Sequence, residues 1–330
     1  MSMPAPVLLL DSATVATLLS LDECSGAVES AFAMHARGRT MRPQLLHIES
    51  QRGEFHVKAG GLHEPRSYFA CKVNGGFFGN RKRSALPNII GLIVLCDGAT
   101  GAPLALMESG LVTRMRTAAA TAVAAKYLAR TDSHTVTICG AGAQAGMQLR
   151  ALSAVLPLQR AFVWTRGDAG AFAEGMAQDL GIAVRCTTDL AAATRQSDVI
   201  VTCTPTRHWF LGREHVVAGT FIAAVGADSP EKQEIEPQLL ASASVVCDLV
   251  DQCAQVGDLH HAIEAGLMAA SDVRGELGAV VAGMVAGRGD DREIIVFDST
   301  GTALQDAAAA AMLYEKAVSG GRGPALSFWT

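Results

Sequence analysis

The sequence predicts an α/β protein: a Rossmann-type parallel-sheet domain joined to a discontinuous α+β domain. Three observations predict it. Thr135–Leu152 (TVTICGAGAQAGMQLRAL) reads as strand, glycine turn and helix in immediate succession. From Thr135 onward, short apolar runs alternate with helical patterns, which is the order of βαβ units with right-handed crossovers. Before residue 110, strand-like runs follow one another with glycine, asparagine or proline between them, the pattern of a mostly antiparallel sheet. Residues 1–125 and 302–330 are assigned to one domain and 126–301 to the other.

Each element follows from its residues. Val7–Leu10 (VLLL) is a strand. Asp22 opens a helix to about Arg37, with the aspartate as N-cap and apolar residues at helical spacing. Gln44–Ile48, Glu54–Val57, Tyr68–Val73, Ile89–Leu95 and Pro103–Met107 are alternating or apolar runs, with Asp97-Gly98 and Thr100-Gly101 marking a turn. Gly110–Ala129 is alanine-rich and helical, and links the two domains. Strands recur at Thr135–Cys139, Ala161–Trp164, Ala183–Cys186, Asp198–Cys203, Phe221–Val225, Val245–Leu249 and Ile294–Phe297, with helices at Asp168–Leu180 and Asp189–Gln196. After Asp298-Ser-Thr-Gly301, the alanine-rich Thr302–Ser319 is a helix that returns to the first domain.

Composition excludes several classes. Of 330 residues, 49% are apolar and 18% charged, which describes a well-buried, oligomerising globular chain. With 27 basic and 32 acidic residues the net charge is −5, so nothing global attracts nucleic acid or an anionic membrane. No apolar run approaches a membrane span. The N-terminus lacks a basic segment and its apolar run is too short for a signal peptide, so a cytoplasmic protein is expected. Eight cysteines form no CxxC pair and read as buried free thiols of a reducing compartment. No metal is expected.

Chemistry concentrates in a few places. In Gly140-Ala-Gly142-Ala143-Gln144-Ala145-Gly146, the first glycine permits a tight turn and the second lets backbone approach a pyrophosphate. The small Ala145 lets helix pack on strand. The pyrophosphate then sits on the helix N-terminus. The second strand of this domain ends in Phe162-Val-Trp-Thr165-Arg166, without the acid that would accept from a ribose 2′-OH. Thr165 and Arg166 fit a 2′-phosphate instead, favouring NADP(H); a solvated loop arginine is the alternative. Asp228, in Gly226-Ala-Asp-Ser-Pro-Glu-Lys232, stands where a loop faces the ligand crevice and suits a general acid/base, or a turn residue before Pro230. Lys72, in a strand-like run, faces a cavity or pairs with a carboxylate, because an unpaired buried cation is costly. Lys58 has a similar setting, and Arg42 lies in the same sheet. Arg114, Arg116 and Thr117 stand near the start of a helix. Arg81-Lys-Arg83 reads as a solvated loop.

Lys72-Val-Asn-Gly75, Leu111-Val-Thr-Arg-Met-Arg116-Thr117-Ala-Ala, Gly140-Ala-Gly142-Ala-Gln144, Gly226-Ala-Asp228-Ser-Pro-Glu-Lys232-Gln-Glu and Phe297-Asp-Ser299-Thr300-Gly301 together resemble the ornithine cyclodeaminase/μ-crystallin family. The resemblance runs in order through nearly the whole chain. It implies a homodimer built through the first domain, which also binds substrate, with the active site between the two domains. By motif, Arg42, Lys72 and Arg116 match residues holding the substrate carboxylate, and Asp228 matches the acid/base at the amino nitrogen. Lys232, Ser299 and Thr300 fall where the family lines the nicotinamide end and the substrate pocket. The expected cofactor-binding residues are Asn88, Thr117, Gly140, Gly142, Ala143, Gln144, Thr165, Arg166 and Lys232. Lys58 is added to the substrate side.

The departures narrow the reaction. Cyclodeaminases carry a glutamate on the strand where this chain has Phe55-His56-Val57-Lys58, a threonine where Asn88 aligns, and the ornithine enzyme an aspartate where Thr165 stands. The implied activity is therefore NAD(P)H-dependent reduction of a small α-imino acid or ketimine, reversible as amino acid dehydrogenation. Ornithine cyclodeamination is the alternative, and a non-catalytic μ-crystallin-like binder the third.

Overall fold

The computed structural model describes residues 6–328, so the first five residues, part of the segment read for a signal peptide, lie outside it. The chain divides into two compact units: one comprises the residues up to Arg116 and from Thr302 onward, the other Thr117–Gly301. The division falls inside the helix Ser109–Leu128.

The first unit is a sheet of β1 (Val7–Leu10), β2 (Thr40–Ser50), β3 (Gly53–Leu62), β4 (Tyr68–Gly76), β5 (Ile89–Asp97), β6 (Pro103–Glu108) and the C-terminal β15 (Ala325–Leu326). Its order is β15-β1-β6-β5-β4-β3-β2, antiparallel except where β1 lies parallel to β6. Successive side chains in a strand face opposite sides. One side carries Lys58 and His56 of β3 and Lys72 and Asn74 of β4, all buried. The other carries a cross-strand ladder of Leu46, Ile48, Phe55, Val73, Ile90 and Leu92, each 39–54% exposed. Helix Ala303–Ser319 covers the polar side. Gly60 lets it approach, because a Cβ there would meet the Ala303 Cβ at 3.1 Å.

Two local expectations are corrected. Helix Leu21–Ala36 is capped by Ser20, whose side chain accepts from the Glu23 N–H, leaving Asp22 in the first turn; serine there caps as well as aspartate. The helix Ser12–Leu18, capped by Asp11, was not expected. Arg81–Arg83 form the short exposed helix Asn80–Arg83 instead of a loop. Four cysteines (24, 139, 247, 253) are buried and four half-buried, and all eight are free.

The second unit is an eight-stranded parallel sheet: β7 (Thr135–Cys139), β8 (Arg160–Trp164), β9 (Ala183–Thr187), β10 (Val199–Thr202), β11 (Phe221–Ala224), β12 (Ser244–Cys247), β13 (Gly275–Glu276) and β14 (Ile295–Asp298). The order β13-β12-β14-β11-β10-β7-β8-β9 makes β7 and β10 neighbours. Counting from β7, the first five strands stand 3-2-1-4-5, the dinucleotide-fold arrangement whose direction reverses between β7 and β10. These strands are apolar throughout because helices cover both faces of a parallel sheet; Val136, Ile138, Val199, Ile200, Phe221 and Ile222 are fully buried. No helix among the described residues is long and apolar enough to cross a membrane.

Candidate active site

The glycine turn leaves β7 at the reversal point. Gly140 has φ +117°, and a Cβ there would come 3.2 Å from the Cys203 carbonyl at the exit of β10. Gly142 is the opposite case, since a Cβ there would meet nothing within 4 Å. The turn is thus tight against the sheet and open outward. Helix Ala145–Ser153 follows without a side-chain cap. The N–H groups of Ala141, Gly142 and Ala143 have no acceptor among the described residues. The buried Gln144 Oε1 also lacks a partner. Uncapped N–H groups at a helix N-terminus attract an anion through hydrogen bonding and the helix dipole. The residues therefore fit the pyrophosphate of a dinucleotide. At the end of β8, the Thr165 hydroxyl accepts from the Gly167 N–H at 3.3 Å, and Arg166 is exposed.

The loop after β11 carries Asp228. Its Oδ1 accepts from Lys232 Nζ at 2.6 Å, in an i,i+4 pair whose lysine is buried and whose carboxylate is about one-third exposed (35%). Glu234 holds this loop in place. Its Oε1 accepts from the Thr204 N–H (2.7 Å) and hydroxyl (2.6 Å), and its Oε2 from the Gly226 N–H (2.9 Å). One carboxyl therefore bridges the exits of β10 and β11. A Cβ on Gly226 would lie 2.3 Å from Glu234 Oε2, so no side chain fits there. Burial pushes the Glu234 carboxyl up to about 8, with Asp258 adding to the rise and the Thr204 hydrogen bonds opposing it. Asp258 accepts from the Glu234 and Ile235 N–H groups at 2.8 and 2.9 Å, and burial raises it to about 6.

Ser299 and Thr300 follow β14, and both hydroxyls turn inward. They donate to Asp248 at 3.2 and 3.1 Å, and the Gly301 N–H donates to Asp248 at 2.7 Å. Gln252 Nε2 donates to the Thr300 hydroxyl at 2.7 Å. Their side chains therefore fix the loop.

In the first unit, Lys58 and Lys72 are directly opposed across β3 and β4. Like charges so placed repel, and both are buried. Asp306, on helix Ala303–Ser319, offsets this: its Oδ1 accepts from Lys72 Nζ at 2.6 Å and from Arg116 Nε at 2.9 Å. Arg116 also donates to Gln305 Oε1 at 2.6 Å. Burial, with the Arg116 charge adding, pulls the Lys72 ammonium down to about 7. Burial alone would raise Asp306, but Arg116 and Lys72 outweigh it and hold its carboxyl below the usual range. Asp306 Oδ2 and Gln305 Nε2 are buried with no partner among the described residues. The cluster thus holds buried cations, with one acceptor and one donor unpartnered among the described residues.

Of the expected substrate residues, Lys58, Lys72 and Arg116 come together. Arg42 lies exposed at the bulge of β2 between Met41 and Gln44. Asn88 ties its own loop, accepting from the Arg81 N–H at 3.3 Å and, through its carbonyl, from the Phe77 N–H at 2.7 Å. Thr117 is buried in its helix, where its carbonyl accepts from the Thr121 hydroxyl. Sequence reading missed Asp306, Gln305, Glu234, Asp248 and Asp258. The available signal was polar residues inside apolar surroundings, plainest in Gln305-Asp306 before Ala307–Ala311.

The ornithine cyclodeaminase/mu-crystallin family pattern matches residues 7–321. Among solved structures, an archaeal alanine dehydrogenase dimer with bound NAD superposes with a TM-score of 0.93 at 35% identity, covering 98% of this chain and 99% of the other. The Δ1-pyrroline-2-carboxylate reductase of Thermococcus litoralis, in complex with NADH and L-proline, gives 0.92 at 34% identity, covering 96% and 99%. The iminosuccinate reductase of Paracoccus denitrificans with NAD+ gives 0.89 at 33%, covering 97% and 99%.

Proposed function

The chain belongs to the ornithine cyclodeaminase/mu-crystallin family, and from that premise we propose that it is an NAD(P)H-dependent reductase of small α-imino acids or ketimines, reversible as an amino acid dehydrogenase. The observation that carries this reading is the buried cluster of Lys58, Lys72 and Arg116 around one aspartate, with an acceptor and a donor still open. Such a cluster suits a molecule bearing a carboxylate and an N–H close together. Three relatives of similar fold, an alanine dehydrogenase, a pyrroline-carboxylate reductase and an iminosuccinate reductase, support the same class.

When bound, the dinucleotide exchanges a hydride with the substrate Cα. The protein supplies position and protons. Lys72 and Arg116 hold the carboxylate, and Gln305 Nε2 donates to it. Asp306 Oδ2 accepts from the nitrogen. This fixes one orientation before reaction, the entropic part of catalysis. Asp228 gives a proton to, or takes one from, the nitrogen, and Lys232 at 2.6 Å restrains its carboxylate. Gly140, Gly142, Ala143 and Gln144 cradle the pyrophosphate. Thr165 and Arg166 favour NADPH over NADH by charge. Ser299 and Thr300 act through the loop that Asp248 holds. The dimeric alanine dehydrogenase supports a homodimer, and the apolar ladder of the first unit is the surface on which we build it. The cytoplasm is the matching compartment.

The decisive experiment follows NAD(P)H absorbance with a panel of cyclic ketimines, and of keto acids with ammonia. Stoichiometric cofactor oxidation with at least one imine is expected. Conversion of ornithine to proline and ammonia with catalytic NAD at an enzymatic rate would overturn the reading in favour of cyclodeamination. The buried Lys58 beside the site argues against that, because an ammonium side chain would meet like charge in a poorly solvated cleft.

A further inference from the structure

We propose that His47, Glu54 and His56 form a binding site for one divalent transition-metal ion of the zinc class. The ligands come from two strands and leave no sequence motif. His47 of β2 pairs directly with His56 of β3. Glu54 lies two residues before His56, so both project from the same face of β3. Register therefore brings two imidazoles and one carboxylate to a single patch.

The geometry suits an ion. Glu54 Oε2 lies 3.1 Å from His47 Nε2 and 3.6 Å from His56 Nε2. One ligand atom from each residue falls within 4.8 Å of the others. With metal–ligand bonds of about 2.0–2.1 Å, neighbouring ligands of a tetrahedral ion stand about 3.3 Å apart. The 3.1 and 3.6 Å separations bracket that value. The imidazole centres are 4.9 Å apart with planes at 89°. Two rings bound through nitrogen to one tetrahedral ion hold their centres about 5 Å apart by the same bond lengths. An ordinary ion pair would account for His47 and Glu54 but needs no second imidazole at the same oxygen.

The side chains are 17%, 17% and 11% exposed, enough to admit an ion and shielded enough to hold it. Two nitrogens and one hard oxygen select zinc, cobalt or nickel over magnesium or calcium. Three protein ligands leave a fourth position for water or an incoming donor. The charged groups nearest in the sheet are Lys58, two residues further along the same face, and Glu49, opposite Glu54. The site is independent of the reductase reading.

The test uses tag-free full-length protein, stripped with chelator and titrated with Co(II) without cofactor or substrate. One equivalent should bind with the visible bands of a low-symmetry, nitrogen- and oxygen-ligated ion. Removing even an outer-sphere partner costs 10–100-fold in affinity, so H47Q and E54Q should each weaken binding by at least about 100-fold with circular dichroism unchanged. Failure to bind one equivalent would overturn the proposal. So would binding that both variants retain, or a thiolate charge-transfer band showing that cysteine holds the ion.

Discussion

At the residue scale the strongest constraint is Asp306. It is the carboxylate that Lys72 and Arg116 share, and removing one partner of a buried ionic group leaves charge uncompensated. Asp306→Ala should lower stability by about 3–5 kcal/mol, read from urea unfolding. Asp228 is instead the proposed acid/base at the substrate nitrogen. Asp228→Asn keeps its shape but cannot titrate, so turnover should fall about 10²–10⁴-fold while the dissociation constant of NAD(P)H stays near its starting value. Unchanged turnover would make it a turn residue. If Arg166 meets a 2′-phosphate, NADPH binds more tightly than NADH and Arg166→Ala removes the difference. Equal affinities before mutation would show a merely solvated side chain. The contrast between Lys72 and Asp306 shows what a sequence reveals. A lysine inside FACKVNG announces a partner. The partner lies 234 residues away on an alanine-rich helix, where its polarity among alanines marks it but nothing local names Lys72 as its partner.

At the element scale, the loops leaving β10 and β11 depend on Glu234. Its carboxyl titrates at about 8 in the folded chain, against about 4.3 unfolded. Between those values the folded state holds a proton that the unfolded state has lost. Its stabilising contribution is therefore complete below about pH 4.3 and is lost as pH rises through about 8. Glu234→Gln removes that titration, so the decline in urea midpoint between pH 5 and 8 should be shallower than in the parent. An identical slope would show that another group carries it. Strand and helix positions were legible here because periodicity and burial coincide: β7, β8, β10 and β11 fall within a residue or two of expectation. The short β13 and β15 were not. They have two residues each and owe their form to neighbours, not to their own pattern.

At the scale of the whole molecule, the ladder of Leu46, Ile48, Phe55, Val73, Ile90 and Leu92 is an apolar patch of the kind that marks an interface. Val73→Asp puts a charge at its centre, opposite Leu92. If the homodimer forms there, the variant should sediment as a monomer with its circular dichroism intact. A dimer that persists would place the interface elsewhere. The alternation that predicts these strands could not say which side faces protein, because each strand is apolar on one side and both lysines are buried on the other. That ambiguity also hid the facing of His47 and His56, which needs register as well as period.

The path of the chain has a consequence for how the protein is born. Arg116 leaves the ribosome 190 residues before Asp306, and Lys72 earlier still. At roughly 5–20 residues per second, Arg116 waits about 10–40 s for its counter-charge. Once Gly301 has been added, the unit Thr117–Gly301 is complete in sequence while the first sheet still lacks its covering helix and β15. Synthesis therefore favours the dinucleotide unit as the first to fold. Nascent chains stalled before Ala303 should carry a protease-resistant second unit and a protease-sensitive first one.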